Sequence, residues 1–157
     1  MKFSTKEDIE APAEVVFDAL SDFPRFERAA MRRGAEVTRI DRLAGADAGL
    51  SWSVRFPLRG RVRRLVCDLK NSDRPNAMLV GAESSGFSAD LTLTLLALSR
   101  SRTRLGVELE IKPKGLSSRL MLQTARLGKA NLSRRFVERV QKFAANIELQ
   151  HLRHRID

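Results

Sequence analysis

Tyrosine is absent from this chain, and cysteine and tryptophan occur once each. The lone Cys67 cannot close an internal disulfide, and its neighbours Leu65, Val66 and Leu69 mark it as strand packing rather than a reactive thiol. Both histidines, His151 and His154, lie in the C-terminal tail, which leaves no imidazole among the strands to act as a general base. Their i, i+3 spacing has no cysteine or acidic cluster beside it to complete a ligand set, and neither a metal nor a cofactor is expected. No Ser-His-Asp pattern and no phosphate-cradling glycine motif occurs. No apolar run exceeds the length of Leu95 to Leu98, which is far too short to cross a bilayer. Met1 to Asp8 alternates in polarity and lacks the apolar stretch of a secretory signal, so a cytoplasmic address is the default expectation. There is no internal repeat.

What is present suits one domain spanning residues 1–157: 43% hydrophobic and 31% charged residues in a length that a single core serves. The formal net charge is +10, and residues 116–157 carry nine Lys/Arg against three Asp/Glu. Such an excess draws polyanions and governs encounter rather than fold.

Residues 2–9 alternate with Phe3 and Ile9 apolar, then Pro12 opens a helix whose Val15, Val16, Ala19 and Leu20 recur at helical spacing to about Ser21. A second helix starts at Pro24, capped by Asp22 or Phe23, and stops at Gly34. From 35 to 112 the period becomes two. Leu50, Trp52, Val54, Phe56 and Leu58 alternate, and a two-residue turn at Arg59-Gly60 puts Leu65, Cys67 and Leu69 on the same face. Arg61 and Arg63 then share that face near its end, at an open rim or against an anion. Asn71 to Asn76 reads as a turn, Met78 to Glu83 as a strand and Ser84 to Gly86 as another break. Two further alternating runs, Phe87 to Leu95 and Leu105 to Ile111, bring the count to about seven strands.

After Lys112-Pro113-Lys114-Gly115 the chain is helical nearly to its end, with Gln150 to Asp157 expected to fray. Its apolar stripe changes phase: Leu116, Leu120 and Leu127 point one way, whereas Leu132, Phe136, Val140, Phe143 and Ile147 point about half a revolution away. A kink or break near Gly128 and Asn131 follows, or a rotation of the buried face as the helix passes off the sheet.

The run Ile9-Glu10-Ala11-Pro12-Ala13-Glu14-Val15-Val16-Phe17, followed later by Leu105 to Ile111 and Pro113-Lys114-Gly115, resembles the START / Bet v 1-like (SRPBCC) superfamily. Within it the chain is most similar to the bacterial polyketide cyclase/dehydrase and lipid-transport group. The resemblance implies an α+β helix-grip fold. In it a seven-stranded curved antiparallel sheet wraps a long C-terminal helix, two short helices join strands 1 and 2, and a cavity lies between sheet and helix. The residues placed around such a cavity are Trp52, Val54, Phe56, Arg63, Leu65, Cys67, Leu91 and Leu93 from the sheet, with Leu120, Met121 and Thr124 from the helix.

Three functions compete. The first is binding or transport of a hydrophobic molecule, a lipid, quinone or polyketide, by a monomer or dimer without catalysis. The second is a polyketide cyclase or dehydratase, whose candidate acid–base groups are Glu83 and Asp90 beside the Ser84 to Gly86 turn, although alternation turns Asp90 to solvent and either parity is open to Glu83. The third is a basic module docking on RNA, ribosome or anionic membrane. For this the C-terminal helix offers the cations Arg126, Lys129, Arg134, Arg135, Arg139 and Lys142, whereas Arg55, Arg59, Arg61, Arg63 and Arg64, with no acid among residues 55–64, read either as a site for an anionic head group or as a solvated hairpin tip. No aromatic interleaving supports sequence-specific DNA binding.

Overall fold

The computed structural model describes residues 1–42 and 48–156. Strand β1 (Lys2–Ile9) leads into helices α1 (Ala13–Leu20) and α2 (Phe23–Arg32). Six strands follow: β2 (Glu36–Arg39), β3 (Ser51–Leu58), β4 (Arg61–Asp73), β5 (Ala77–Glu83), β6 (Phe87–Ser99) and β7 (Arg102–Pro113). The chain ends in α3 (Leu116–Ala125), a 3₁₀ turn at Arg126–Gly128 and α4 (Lys129–Ile156). The strands make one curved antiparallel sheet in the order β1-β7-β6-β5-β4-β3-β2, with α4 gripped against it.

Each boundary has a local cause. Pro12 is extended (φ −61, ψ 152) and sits at the N-cap position, so α1 begins at Ala13, one residue after the expected helical start. Asp22 caps α2, its carboxylate accepting the Arg25 N–H at 3.3 Å, with Pro24 in the first turn where no amide bond is lost. The same helix closes at Gly34, whose φ of 93° is the left-handed geometry that lets Gly34 and Ala35 donate back to Met31 and Ala30. The expected turn at Asn71 to Asn76 is shorter: Asn71, Ser72 and Asp73 remain in β4, paired with β5, and only Arg74 to Asn76 turn. Pairing continues because a bulge between Leu69 and Asn71 absorbs one residue and bends the strand, which helps the sheet to curl.

The core lies on the concave face. Ile9, Phe17, Leu50, Leu69, Met78 and Leu105 are essentially fully buried there, joined by Ala144 and Ile147 of α4. Burying each large apolar side chain contributes roughly 1.5–3 kcal/mol. Ring contacts align α4 along β1 and α2: Phe136 lies 5.8 Å from Phe3 and Phe143 5.9 Å from Phe26. Near the other end of α4, Glu148 accepts the Glu10 N–H at 2.9 Å.

The phase change in the C-terminal segment is real and sits at the 3₁₀ turn. There the chain switches from one stripe to the other, so Phe136, Val140, Phe143 and Ile147 pack inward while Leu116, Leu120 and Leu127 remain exposed. The tail does not fray as expected: α4 is helical through Ile156, and residue 157 lies outside the described residues. Arg153, His154 and Arg155 in the last turn suit the negative end of the helix dipole. No helix of the described residues is long and apolar enough to cross a membrane.

Candidate functional site: an apolar cavity between sheet and helices

The curled sheet and α4 do not meet everywhere. Between them lies a cavity of about 460 Å³, roofed by Phe23, Phe26, Glu27 and Ala30 of α2 and by Phe136, Arg139, Val140 and Phe143 of α4. Its sheet wall is formed by Val37, Trp52, Val54, Cys67, Met78, Val80, Leu91, Leu93, Leu105 and Val107. Side-chain alternation explains the wall. Trp52 pairs with Cys67, Val80 with Leu91, and Leu93 with both Met78 and Val107, so each partner pair points to the same concave face.

Glu27 and Arg139 are the charged residues of the lining. Glu27 accepts the indole N–H of Trp52 at 2.8 Å, which satisfies that donor without a water and orients the ring. The indole also touches Phe23, at 5.1 Å between centroids, and carries the Arg39 guanidinium 5.4 Å above its face. Arg39 is held by Asp41 through two hydrogen bonds of 2.8 and 2.7 Å, and Asp41 also accepts the Ser51 N–H at 2.7 Å. Arg139 is exposed at the edge of the cavity, with no acidic partner among the described residues. Burial pushes the Cys67 thiol up, with Asp68 adding to the effect, so it is a thiol and not a thiolate near neutrality.

Of the residues anticipated from sequence, Trp52, Val54, Cys67, Leu91 and Leu93 line the cavity together. Phe56, Arg63, Leu65, Leu120, Met121 and Thr124 are not part of its lining. The reasons are geometric. Phe56, Arg63 and Leu65 lie on the part of the β3–β4 hairpin that extends past the first β4–β5 pair, Val66 with Glu83, where only Val54, flanked by Val37 of β2, still joins the wall. Leu120 and Met121, each 55% exposed, and the exposed Thr124 sit on α3, which carries the stripe of the opposite phase.

Glu83 and Asp90 are not in the cavity either. Glu83 is ion-paired with Lys114, and Asp90 with Lys70 at 3.1 Å, both on the outer surface. The carboxylate that does reach the cavity is Glu27, which sequence reasoning missed. Its signal was available: Phe23, Phe26, Glu27 and Ala30 fall at i, i+3, i+4 and i+7, an acid set into the apolar face of a short helix. Among the described residues no group of three or more His, Cys, Asp or Glu could hold a metal.

No protein-family model matches the chain, and no curated protein matches its sequence. Solved structures do match over nearly the whole length. A protein from Thermus thermophilus superposes with a TM-score of 0.68 at 16% identity, covering 96% of this chain and 99% of that one. The Zhui aromatase/cyclase from Streptomyces sp. R1128 gives 0.61 at 15% identity, covering 100% and 96%. A START superfamily protein from Mycobacterium smegmatis gives 0.55 at 16% identity, covering 88% and 98%. The chain has the START / Bet v 1-like helix-grip fold.

Proposed function

We propose that residues 1–157 act as one domain that binds or carries a single hydrophobic small molecule in the cavity between α2, α4 and the sheet. The observation that carries this reading is the lining: apart from Glu27, already engaged by Trp52, and Arg139 at the edge, the side chains around the space are aliphatic, aromatic or sulfur-bearing and apolar. A volume of about 460 Å³ falls within the roughly 300–1,000 Å³ of small-molecule sites. Side chains facing a void forgo dispersion contacts that an apolar ligand supplies. Arg139 is the group that meets an anionic or polar head on that ligand, with Trp52, Val54, Cys67, Leu91 and Leu93 against its body.

Native mass spectrometry of the purified chain, with solvent extraction and lipid analysis, tests this directly. A bound lipid, quinone or polyketide-like molecule is expected; a folded protein that neither carries one nor takes up fluorescent fatty acids or quinones refutes it. Glu27 favours a second reading, a cyclase or dehydratase, because it is a carboxylate inside an apolar cavity of a fold shared with an aromatase/cyclase. Incubation with a poly-β-keto thioester separates the two. A carrier leaves the spontaneous background cyclisation unaccelerated, whereas an enzyme yields one cyclised product faster than background, a gain that Glu27→Gln abolishes.

A further inference from the structure

We infer that the tip of the β3–β4 hairpin is a docking element for an anionic phospholipid surface, independent of what the cavity holds. The first β4–β5 pair is Val66 with Glu83, and β2 covers β3 only as far as Arg55, so residues 56–65 form a free two-stranded ribbon. It projects about 17 Å beyond β5 at roughly 3.3 Å per residue.

The ribbon is built against its own comfort. Arg55 stands directly opposite Arg64, a like-charge pair that weakens a sheet and that Glu36, across from Arg55 on β2, offsets only on the β2 side. Arg59 occupies the left-handed region at φ 52 in the two-residue turn, a position that Asn, Asp or Gly fills more easily. Among the described residues Arg55, Arg59, Arg61 and Arg63 have no acidic partner, while Arg64 reaches Ser53 Oγ at 3.0 Å. An anionic surface relieves this repulsion.

Two exposed apolar residues decide which anionic surface. Leu58 is 50% exposed and pairs with Arg61, whereas Val62 is 74% exposed and pairs with Pro57. Successive positions point to opposite faces, so hydrocarbon emerges on both sides of the tip within a ring of guanidinium groups. A rigid partner covers one side of a ribbon, and nucleic acid satisfies the arginines but offers little to Leu58 and Val62. A fluid headgroup layer surrounds the tip and takes both. Helix α3 starts at this same end of the sheet, with Leu116 and Leu120 exposed beside Arg119.

The test is co-sedimentation of the full chain with phosphatidylcholine vesicles, with or without about a quarter phosphatidylglycerol. Binding is expected to the mixed vesicles, weakening as ionic strength rises to physiological. Arg59→Gln and Arg61→Gln each lower the partition about fivefold, and Leu58→Ser with Val62→Ser lowers it about tenfold or more. Hydrogen exchange on the unmodified chain should show protection of the amides of residues 58–62 on vesicles, a readout that needs no variant to fold. Equal retention on both vesicle types overturns the inference, as does protection elsewhere. Loss on Arg→Gln with none on the serine changes also overturns it, and assigns the tip to a general polyanion such as RNA.

Discussion

Along α4 the residues Phe136, Val140, Phe143 and Ile147 face the sheet, whereas along α3 the residues Leu116, Leu120 and Met121 face outward. The two helices are consecutive and both carry apolar stripes, so hydrophobicity alone does not say which is covered. The 3₁₀ turn at Arg126–Gly128 sets the phase between them, and the concave sheet accepts only one. The sheet repeats the contrast. Its middle closes a cavity with α2 and α4, while its β3–β4 end stands free in a cluster of arginines.

Stability is the sharpest way to break the comparison. Ile147→Ala removes a side chain that is 2% exposed and should cost about 2–5 kcal/mol in denaturant unfolding. Leu120→Ala should fall within about 0.5 kcal/mol of wild type. Equal costs would mean that α3 is as well packed as α4. Next comes Leu91→Phe, aimed into the cavity: ligand uptake should drop about tenfold, with a stability change under about 1 kcal/mol. A penalty of several kcal/mol would show packed core in place of a space.

A smaller effect is expected at the roof. Glu27→Gln keeps an acceptor for the Trp52 N–H but removes its charge, a change of about 1 kcal/mol, and Trp52 emission should shift because the chain has no other tryptophan. Cys67 sharpens the picture without mutation. Its thiol is raised by burial, so alkylation at neutral pH should be slow, the pH–rate midpoint should lie above the ordinary cysteine value, and a bound ligand should slow it further.

The smallest effect belongs to the outer surface. The Arg104 hydrogen bond holds the Asp8 carboxyl below its usual range, partly opposed by burial. A depressed acid stabilises the fold above its unfolded value, and that contribution is lost as pH falls through the folded value. Asp8→Asn should therefore flatten acid unfolding slightly at the low end of the carboxylate range.

The architecture was readable because its determinants are local: alternation for the strands, Asp22, Pro24 and Gly34 for α2, and the Arg59-Gly60 turn that sets Trp52 against Cys67. The cavity was readable only in part. Which of two helical stripes faces the sheet depends on long-range contacts such as Phe136 with Phe3, and periodicity within the helix carries no sign of it. Phe56 and Leu65 alternate perfectly with Val54 and Cys67, yet lie past the reach of β5, a length relation between strands that no single strand encodes. Glu27 was missed because an acid in a charged helix reads as solvated until the indole of Trp52, 25 residues later in the chain, arrives to bind it.

The uptake of an apolar molecule is most directly measured by titrating the delipidated, folded chain with a polyene fatty acid while following the emission of Trp52. Quenching that saturates at one ligand per chain, and weakens in Leu91→Phe, is the predicted result. Emission that stays unchanged, or declines without saturation in both proteins, would mean that the space between α2, α4 and the sheet holds no ligand.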